Sequence, residues 1–503
     1  SVMRRPLLMG GVSLSVGLWL LDWIHHSLLE VGGVAVLTAI ATGTGVWLWQ
    51  RQKNSVVPAS IAPQLTRELV EQALTRVTAV VNTLTAELEL LPTASRPDFN
   101  PLVLALRNRL TALTTDCDRT TIGIAVMGSK GSGKSTLISL LASPQTFASP
   151  RRLVLQEIPA SITQGNGDQP LIGNFVADLT LFLTTGDLTA SEHRVLQELV
   201  ATHQRVLLVL NKCDQYLPND RPLLIDRLQH YIVQLAQQQP TATPYPLPVP
   251  QAEDVIAIAA KPNPLKVRRY QPDGSIDEWL ETPTPDLHGL TQRLQALLTQ
   301  DNNLLVWATV VRSALALHQE AQTALNQVRR DRALPLLDNY QWIAAAAAFA
   351  NPVPALDLLA TGAITAQLVL DLSAIYQQHL SLQQAQVVAT TLASLLVKLG
   401  LVELSTQLLG NLLKSNAATF VVGGLLQGAS AAYLTRLAGL SLMDYFQDQS
   451  LVVNLRAENP LTIAALSQRL QAVFQQNRHV AVLQTILQTA ASRLSPVQST
   501  TPA

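Results

Sequence analysis

The chain has 503 residues, enough for about three domains by the usual relation of length to domain number. Its formal net charge is zero, so nothing indicates a protein that holds nucleic acid through bulk positive charge, and no nucleic-acid partner is expected. Charged residues make up only 14% of the sequence, against roughly 25% in ordinary soluble domains. This low share favours a membrane-associated protein. The two cysteines form no metal-binding or redox pattern.

Two apolar runs, residues 7–24 and 31–49, predict a transmembrane helical hairpin within residues 1–54. Each run approaches the roughly 20 residues that a spanning helix needs. Basic residues flank the pair on its outer sides: Arg4, Arg5, Arg51 and Lys53. By the positive-inside rule both ends face the cytoplasm, which predicts an integral membrane protein with its later domains on that side. A signal peptide and a buried soluble hairpin are the alternatives.

Residues 55–118 have the spacing of amphipathic helices. Apolar residues from Leu65 to Val77 recur at helical intervals, and a second helix is predicted around Leu102 to Leu113, after a break that contains proline. We expect these helices to pack beside the domain that follows, with their apolar faces in a core.

Residues 119–300 alternate strand-like apolar runs with helical segments. Such alternation predicts an α/β domain with a doubly wound, mostly parallel sheet. Within residues 266–279, a Pro-Asp-Gly turn predicts a β-hairpin whose basic first arm pairs with its acidic second arm. An effector-binding role is the alternative for this insert. The predicted strands cover residues 122–127, 152–156, 179–183, 206–210 and 255–259.

The segment Gly128-Ser-Lys-Gly-Ser-Gly-Lys-Ser135 matches the P-loop pattern at every fixed position. It follows a predicted strand and opens a predicted helix, where backbone amides and the helix dipole can face phosphate oxygens. Lys134 is expected to contact the β- and γ-phosphates, and Ser135 to bind Mg²⁺. The predicted phosphate-binding residues are Gly128, Ser129, Gly131, Ser132, Gly133, Lys134, Ser135 and Thr136.

A second motif, Asn211-Lys-Cys-Asp214, follows the fourth predicted strand, where a base-binding loop is expected. The Asp214 carboxylate can accept hydrogen bonds from N1–H and the exocyclic amine of guanine, a pattern that adenine does not offer, so the predicted ligand is GTP or GDP. Asn211 would hold the loop, and Lys212 would lay its stem along the base. Ala260 and Lys261 follow the next strand and fit the loop whose backbone amide meets the guanine oxygen.

Residues 301–503 predict an all-α, apolar domain with few charges. Small residues such as Gly423 and Gly428 would let its helices approach closely. Two interpretations stay open: a tightly packed apolar bundle, or a domain that inserts into or lies on a lipid bilayer.

The nucleotide motifs resemble those of the Era and TrmE branch of small GTPases. Three C-terminal segments, Phe349–Asp357, Ala366-Gln367 and Gly428–Arg436, resemble the YcjF-like family. That family pairs a GTPase domain with a helical, membrane-associated domain of unassigned function. The resemblance covers roughly residues 120–447. It implies a Ras-like P-loop domain that binds GTP and Mg²⁺, with a bilayer as partner.

The metal-binding part of the GTPase pattern is altered here. The usual Asp-x-Pro-Gly loop corresponds to Glu157-Ile-Pro-Ala160, in which Glu157 is expected to serve the metal. Thr146 is the candidate for the threonine that binds Mg²⁺ in the first switch, with Ser149 behind it. The predicted catalytic residues are therefore Lys134, Thr146 and Glu157, and the predicted metal ligands are Ser135, Thr146 and Glu157.

Two residues that speed hydrolysis in related GTPases have no counterpart. Gly131 stands where the Era and TrmE branch carries a potassium-binding Asn, and Ser161 stands where Ras-type proteins carry a catalytic Gln, with Gln164 as a possible substitute. We therefore expect a membrane-anchored, slow GTPase that acts as a nucleotide-dependent switch and needs self-association or an activating partner. A non-hydrolysing GTP-binding scaffold and a dynamin-like membrane remodeller are the alternatives.

Overall fold

The computed structural model describes residues 65–91, 99–143, 152–158, 176–238, 243–270, 276–300, 303–350, 354–415, 423–451, 463–478 and 480–494. The predicted transmembrane hairpin lies outside these residues, so it stays a prediction. Thr146, Ser149, Ala160, Ser161 and Gln164 also lie outside them.

Two helices, α1 (Arg67–Leu88) and α2 (Asn100–Asp116), precede the sheet, as the sequence predicts. The buried residues of α1 recur every three or four positions, including Val70, Leu74 and Val77, and so form one apolar stripe. That stripe belongs to the same hydrophobic core as one face of the sheet. These helices are therefore packed against the α/β domain.

Five strands form one parallel sheet in the order β2-β1-β3-β4-β5. All five coincide with predicted strands, although β5 ends two residues earlier than expected. Their bounds are β1 Thr121–Gly128, β2 Arg152–Glu157, β3 Leu179–Thr184, β4 Val206–Leu210 and β5 Val255–Ala257. From β1 the chain continues to β2, which lies beside β1 at one edge of the sheet, and then crosses to β3 on the other side of β1. The direction of the strand order therefore reverses at a topological switch point between β1 and β3.

Helices cover both faces of the sheet. Alternate side chains of β3, such as Leu181 and Phe182, enter two different hydrophobic cores, because successive residues of a strand point to opposite faces. The core that contains Leu181 also receives α1 and two helices of the domain, whereas the core that contains Phe182 receives the other two. The helices of the domain are α3 Lys134–Leu141, α4 Ala190–Ala201, α5 Asp220–Gln237 and α6 His288–Gln300. The predicted α/β fold is thus confirmed.

A separate antiparallel hairpin consists of β6 (Leu265–Tyr270) and β7 (Ile276–Glu281). Lys266 and Arg268 of its first strand both form ion pairs with Glu278 of its second strand. The predicted pairing of a basic arm with an acidic arm is therefore confirmed.

The C-terminal residues that the structure describes form a helical bundle with its own hydrophobic core. Its helices are α7 Leu304–Ala350, α8 Pro354–Ile375, α9 Leu382–Lys398, α10 Leu401–Ser415, α11 Gly423–Leu451, α12 Ile463–Asn477 and α13 Val480–Leu494. Helices α7 and α11 approach so closely that a Cβ atom at Gly439 would lie 2.2 Å from Leu337 Cδ1. The predicted all-α architecture is confirmed for this part of the chain.

The described helices differ from typical membrane spans. None of them alone has both the length and the hydropathy to cross a bilayer; helix α9 and residues 401–412 of α10 reach these values only together, as a pair bent by 63°.

Helix α7 belongs to both large cores. Its residues from Leu305 to Val328 lie in the hydrophobic core that contains Leu181 of the sheet. Its residues from Ala333 onwards lie in the core of the bundle. Between the two stands a buried ion pair, in which Arg329 Nη2 donates to Glu87 Oε1 of α1 at 2.8 Å.

The Glu87 carboxylate accepts hydrogen bonds from three further donor atoms, which complete this junction. Arg329 Nε donates to it at 3.0 Å, Arg332 Nη1 at 3.1 Å and Gln377 Nε2 at 3.1 Å. One carboxylate therefore connects α1, α7 and the residues that follow α8.

Replacing Glu87 with Ala should destabilise the full chain by about 3–5 kcal/mol, because Arg329 would stay buried without its counter-charge. The measurement is urea unfolding of the full chain in detergent. Glu71→Ala on the same helix is the control: its pair with Arg67 is mostly exposed, so its loss should cost less than about 1 kcal/mol. Equal losses for the two variants would contradict a structural role for the buried pair.

Candidate functional site

The loop between β1 and α3 is shaped by glycines with left-handed backbone angles: φ is +144° at Gly128, +82° at Gly131 and +95° at Gly133. Two of these positions also leave no room for a side chain. A Cβ atom at Gly128 would lie 2.4 Å from the carbonyl oxygen of Leu183, and one at Gly133 would lie 2.2 Å from Asn211 Nδ2. The sequence folds into this turn because glycine alone combines both properties.

Lys134 begins helix α3, and its side chain folds back over the glycine loop. The side chain is buried, and Nζ donates to the carbonyl oxygens of Gly128 at 3.1 Å and Ser129 at 3.0 Å. These bonds fix a positive charge at the N-terminus of a helix, where a bound anion is favoured.

Ser135 and Glu157 meet although they come from different segments. Ser135 Oγ donates to Glu157 Oε2 at 2.8 Å. A hydroxyl and a carboxylate are oxygen ligands of the type that Mg²⁺ prefers. The structure thus brings together two of the three predicted metal ligands, while Thr146 stays untested.

Asn211, directly after β4, connects the two predicted loops. Its Nδ2 donates to the carbonyl oxygen of Ser132 at 2.8 Å, and its Oδ1 accepts from the amides of Lys212 at 2.8 Å and Ala260 at 3.1 Å. Lys212 itself has a φ of +61°, and this left-handed angle starts the short 3-10 helix of Cys213–Gln215. The side chain of Asn211 therefore fixes the glycine loop and the loop after β5 relative to each other.

Asp214 lies in that 3-10 helix with only one of its oxygens bonded. Oδ2 accepts from the amide of Asn263 at 3.0 Å, whereas Oδ1 is buried and has no hydrogen-bond partner among the described residues. A buried carboxylate oxygen without a partner costs stability unless a ligand supplies an N–H or O–H donor. The neighbouring Cys213 is a free thiol whose pKa is raised by burial, so it acts as a packing group.

One cavity of about 730 Å³ lies at the carboxyl ends of the strands. That volume lies within the usual range of about 300–1,000 Å³ for ligand pockets. Most of its lining was predicted from the sequence: Gly131, Gly133, Lys134, Ser135, Thr136, Glu157, Asn211, Lys212, Ala260 and Lys261. Four of the predicted site residues do not line it: Gly128, Ser129, Ser132 and Asp214. Five further lining residues were not predicted, and their nearness to the two motifs is the one signal that could have indicated them: Lys130, Gln215, Pro262, Asn263 and Pro264.

The cavity is positively charged. Glu157 is the single carboxylate among the described residues that line it, against four lysines: Lys130, Lys134, Lys212 and Lys261. Such a lining, with the amides of the glycine loop, suits a polyanionic ligand such as a nucleotide phosphate chain.

One part of the chain is similar to a known protein family. Residues 312–479 match the model of a family described as a domain of unknown function, DUF697. No curated protein matches the sequence significantly. The matched segment starts within α7 and reaches the end of α12, so the helical bundle is similar to a family domain without an assigned function.

Proposed function

We propose that the chain is a guanine-nucleotide-binding protein and a slow GTPase, acting as a nucleotide-dependent switch at the cytoplasmic face of a membrane. The observation that carries the proposal is the set of bonds made by Asn211, which joins Ser132 of the glycine loop to Ala260 of the opposite loop. A nucleotide in the cavity would meet the glycine loop with its phosphates and the opposite loop with its base.

The choice of guanine rests on Asp214. Its Oδ2 is held by the Asn263 amide, and its buried Oδ1 is free to accept a hydrogen bond. Guanine offers two adjacent N–H donors on one edge, whereas adenine offers an acceptor where guanine has N1–H. A fixed carboxylate therefore favours GTP and GDP over ATP and ADP.

Hydrolysis would proceed by in-line attack of water on the γ-phosphorus, with Lys134 stabilising the negative charge that spreads over the phosphoryl oxygens. Mg²⁺, held by Ser135 and Glu157, would supply further charge neutralisation. Gly131 stands where the Era and TrmE branch carries a potassium-binding Asn, so no side chain at this position assists hydrolysis. Turnover is therefore slow unless a second copy or a protein partner adds a catalytic group.

Attachment to a membrane rests on the predicted N-terminal hairpin and, in the bundle, on exposed apolar residues of α9 and α10. These residues include Leu382, Val387 and Val397 of α9 and Val402 and Leu404 of α10. Exposed apolar side chains in a surface with few charges are typical of contact with the lipid interface.

Asp214→Ala should weaken GTP binding by about 10- to 100-fold and leave ATP binding unchanged, because charge-assisted bonds to guanine are worth about 1.5–3 kcal/mol. Titration of the full chain with fluorescent GTP and ATP measures both affinities. Asp226→Ala, an exposed carboxylate on α5, is the control and should bind GTP like the wild type. Equal affinity of the wild type for GTP and ATP would contradict the choice of guanine.

Gly133→Ala should reduce GTP affinity at least about tenfold more than Gly131→Ala does. Both substitutions place a side chain at a positive φ, so both introduce backbone strain. Only at Gly133 does the new Cβ meet Asn211, whereas Gly131 has open space around it. The same titration measures the two variants, and equal losses would show that the contact with Asn211 does not shape the site.

Lys134→Ala should lower the rate of phosphate release from saturating GTP at least about tenfold. The wild-type rate should be on the order of 10⁻³ s⁻¹ or below, as in GTPases without an assisting residue. Lys398→Ala on α9 is the control and should keep the wild-type rate. Identical rates for wild type and Lys134→Ala, in detergent and on liposomes, would favour a non-hydrolysing scaffold.

A further inference from the structure

The loop after β5 contacts both polar ends of the Asn211-Lys-Cys-Asp214 motif through its backbone. The amide of Ala260 donates to Asn211 Oδ1 at 3.1 Å, and the amide of Asn263 donates to Asp214 Oδ2 at 3.0 Å. The two amides are three residues apart along the chain, and so are the two side chains that accept from them. The loop is therefore held to the motif at two points.

Asn263 stands between two prolines, Pro262 and Pro264. Proline has no backbone N–H, so Asn263 supplies the single backbone donor of this three-residue segment, and that donor goes to Asp214. Each proline fixes its own φ at about −65° and disfavours helical angles at the residue before it. The backbone from Lys261 to Pro264 therefore has little freedom, and it presents this N–H in one direction.

The neighbouring chain is anchored as well. Ala259 and Asp286 exchange two backbone hydrogen bonds of 3.0 Å, which close the base of the insert that carries β6 and β7. Strand β6 starts at Leu265, directly after the segment. All three residues of the segment line the candidate cavity, whereas Asp214 does not. The segment thus connects the wall of the cavity to the Asp214 carboxylate.

We propose that Pro262-Asn263-Pro264 is a positioning segment, whose one N–H orients the Asp214 carboxylate so that it reads the exocyclic amine of guanine. The inference rests on the proposed function, because it assigns a role within the same nucleotide site. The terminal torsion of an aspartate side chain is broad when nothing holds the carboxylate. With Oδ2 held, the carboxylate keeps one plane, in which it can accept from N1–H and from the amine together.

The opposite role for this contact is competition, in which the Asn263 amide would have to leave Asp214 before a base binds. Two facts favour positioning. A carboxylate has about four lone-pair sites on its two oxygens, so Asp214 can accept from Asn263 and from a base at the same time. Moreover, the prolines and the bonds of Ala259 and Ala260 hold the loop in place, so release of the amide would disturb the whole loop.

Inosine triphosphate (ITP) is the probe for this role, because its base keeps N1–H and lacks the exocyclic amine. Competition of unlabelled GTP and ITP with fluorescent GTP, on the full chain in detergent, measures both affinities. The wild type should bind GTP at least about tenfold more tightly than ITP. Asn263→Pro removes the N–H and should lower this ratio at least about threefold, mainly through weaker GTP binding.

The chain offers a matched control in a second segment of the same kind, Pro283-Thr284-Pro285, which follows β7. The Thr284 amide has no hydrogen-bond partner among the described residues, so Thr284→Pro should keep the wild-type ratio of GTP to ITP affinity. Asn263→Ala separates the amide from the side chain. It removes an exposed side chain and keeps the N–H, so it should lower the ratio less than Asn263→Pro does.

A further variant keeps the N–H and loosens its support. Replacing Pro262 and Pro264 together with Gly should lower the ratio at least about twofold, because the backbone gains freedom. A wild-type ratio in this variant or in Asn263→Pro would overturn the proposal, and so would tighter GTP binding by Asn263→Pro, which competition predicts. Equal affinity of the wild type for GTP and ATP would instead contradict the proposed function itself, and the inference with it.

Discussion

One helix, α7, constrains the whole described structure, because its 47 residues contribute to both large hydrophobic cores. Its first half closes the face of the sheet on which α1 packs, and its second half packs against α8 and α11. The ion pair of Arg329 with Glu87 lies where one core ends and the other begins. A rearrangement of the bundle relative to the sheet would have to bend α7 or expose this buried pair. Pro335, just beyond the pair, is the residue at which the helix lacks a backbone donor.

The candidate site follows from the topology of the sheet. In a parallel sheet, the carboxyl ends of the strands meet at one edge, and ligands bind in the crevice at the topological switch point. Here the switch point lies between β1 and β3, and the site is built where β1, β2, β4 and β5 end. The side chain of Asn211 then fixes the neighbouring loops relative to each other, because its amide group donates one hydrogen bond and accepts two. The same packing explains why Gly133 has no side chain.

The sequence was informative wherever the chemistry is local. The glycine loop and the Asn-Lys-x-Asp loop are contiguous motifs, and each buried strand of the parallel sheet is a short apolar run, so both were predictable. Two contacts join residues far apart in the chain: the ion pair of Glu87 with Arg329, and the close approach of Gly439 to Leu337. No periodicity or motif indicates such pairs, since they depend on how complete elements pack. Asn263 was not predicted for a related reason. Its backbone amide donates to Asp214, and nearly every residue type has such an amide, so the residue type does not indicate the contact.

Binding and turnover of a nucleotide place different demands on this architecture. Binding needs fixed groups, and the described residues supply them: a buried lysine at a helix N-terminus, a bridging asparagine and a carboxylate with a free oxygen. Fast hydrolysis needs further groups that reach the γ-phosphate from the switch segments, and the sequence offers neither the usual glutamine nor the usual asparagine at those positions. A site that binds firmly and turns over slowly keeps each nucleotide state for long. In the proposed function, such persistence would suit a switch whose output is a change of packing along α7.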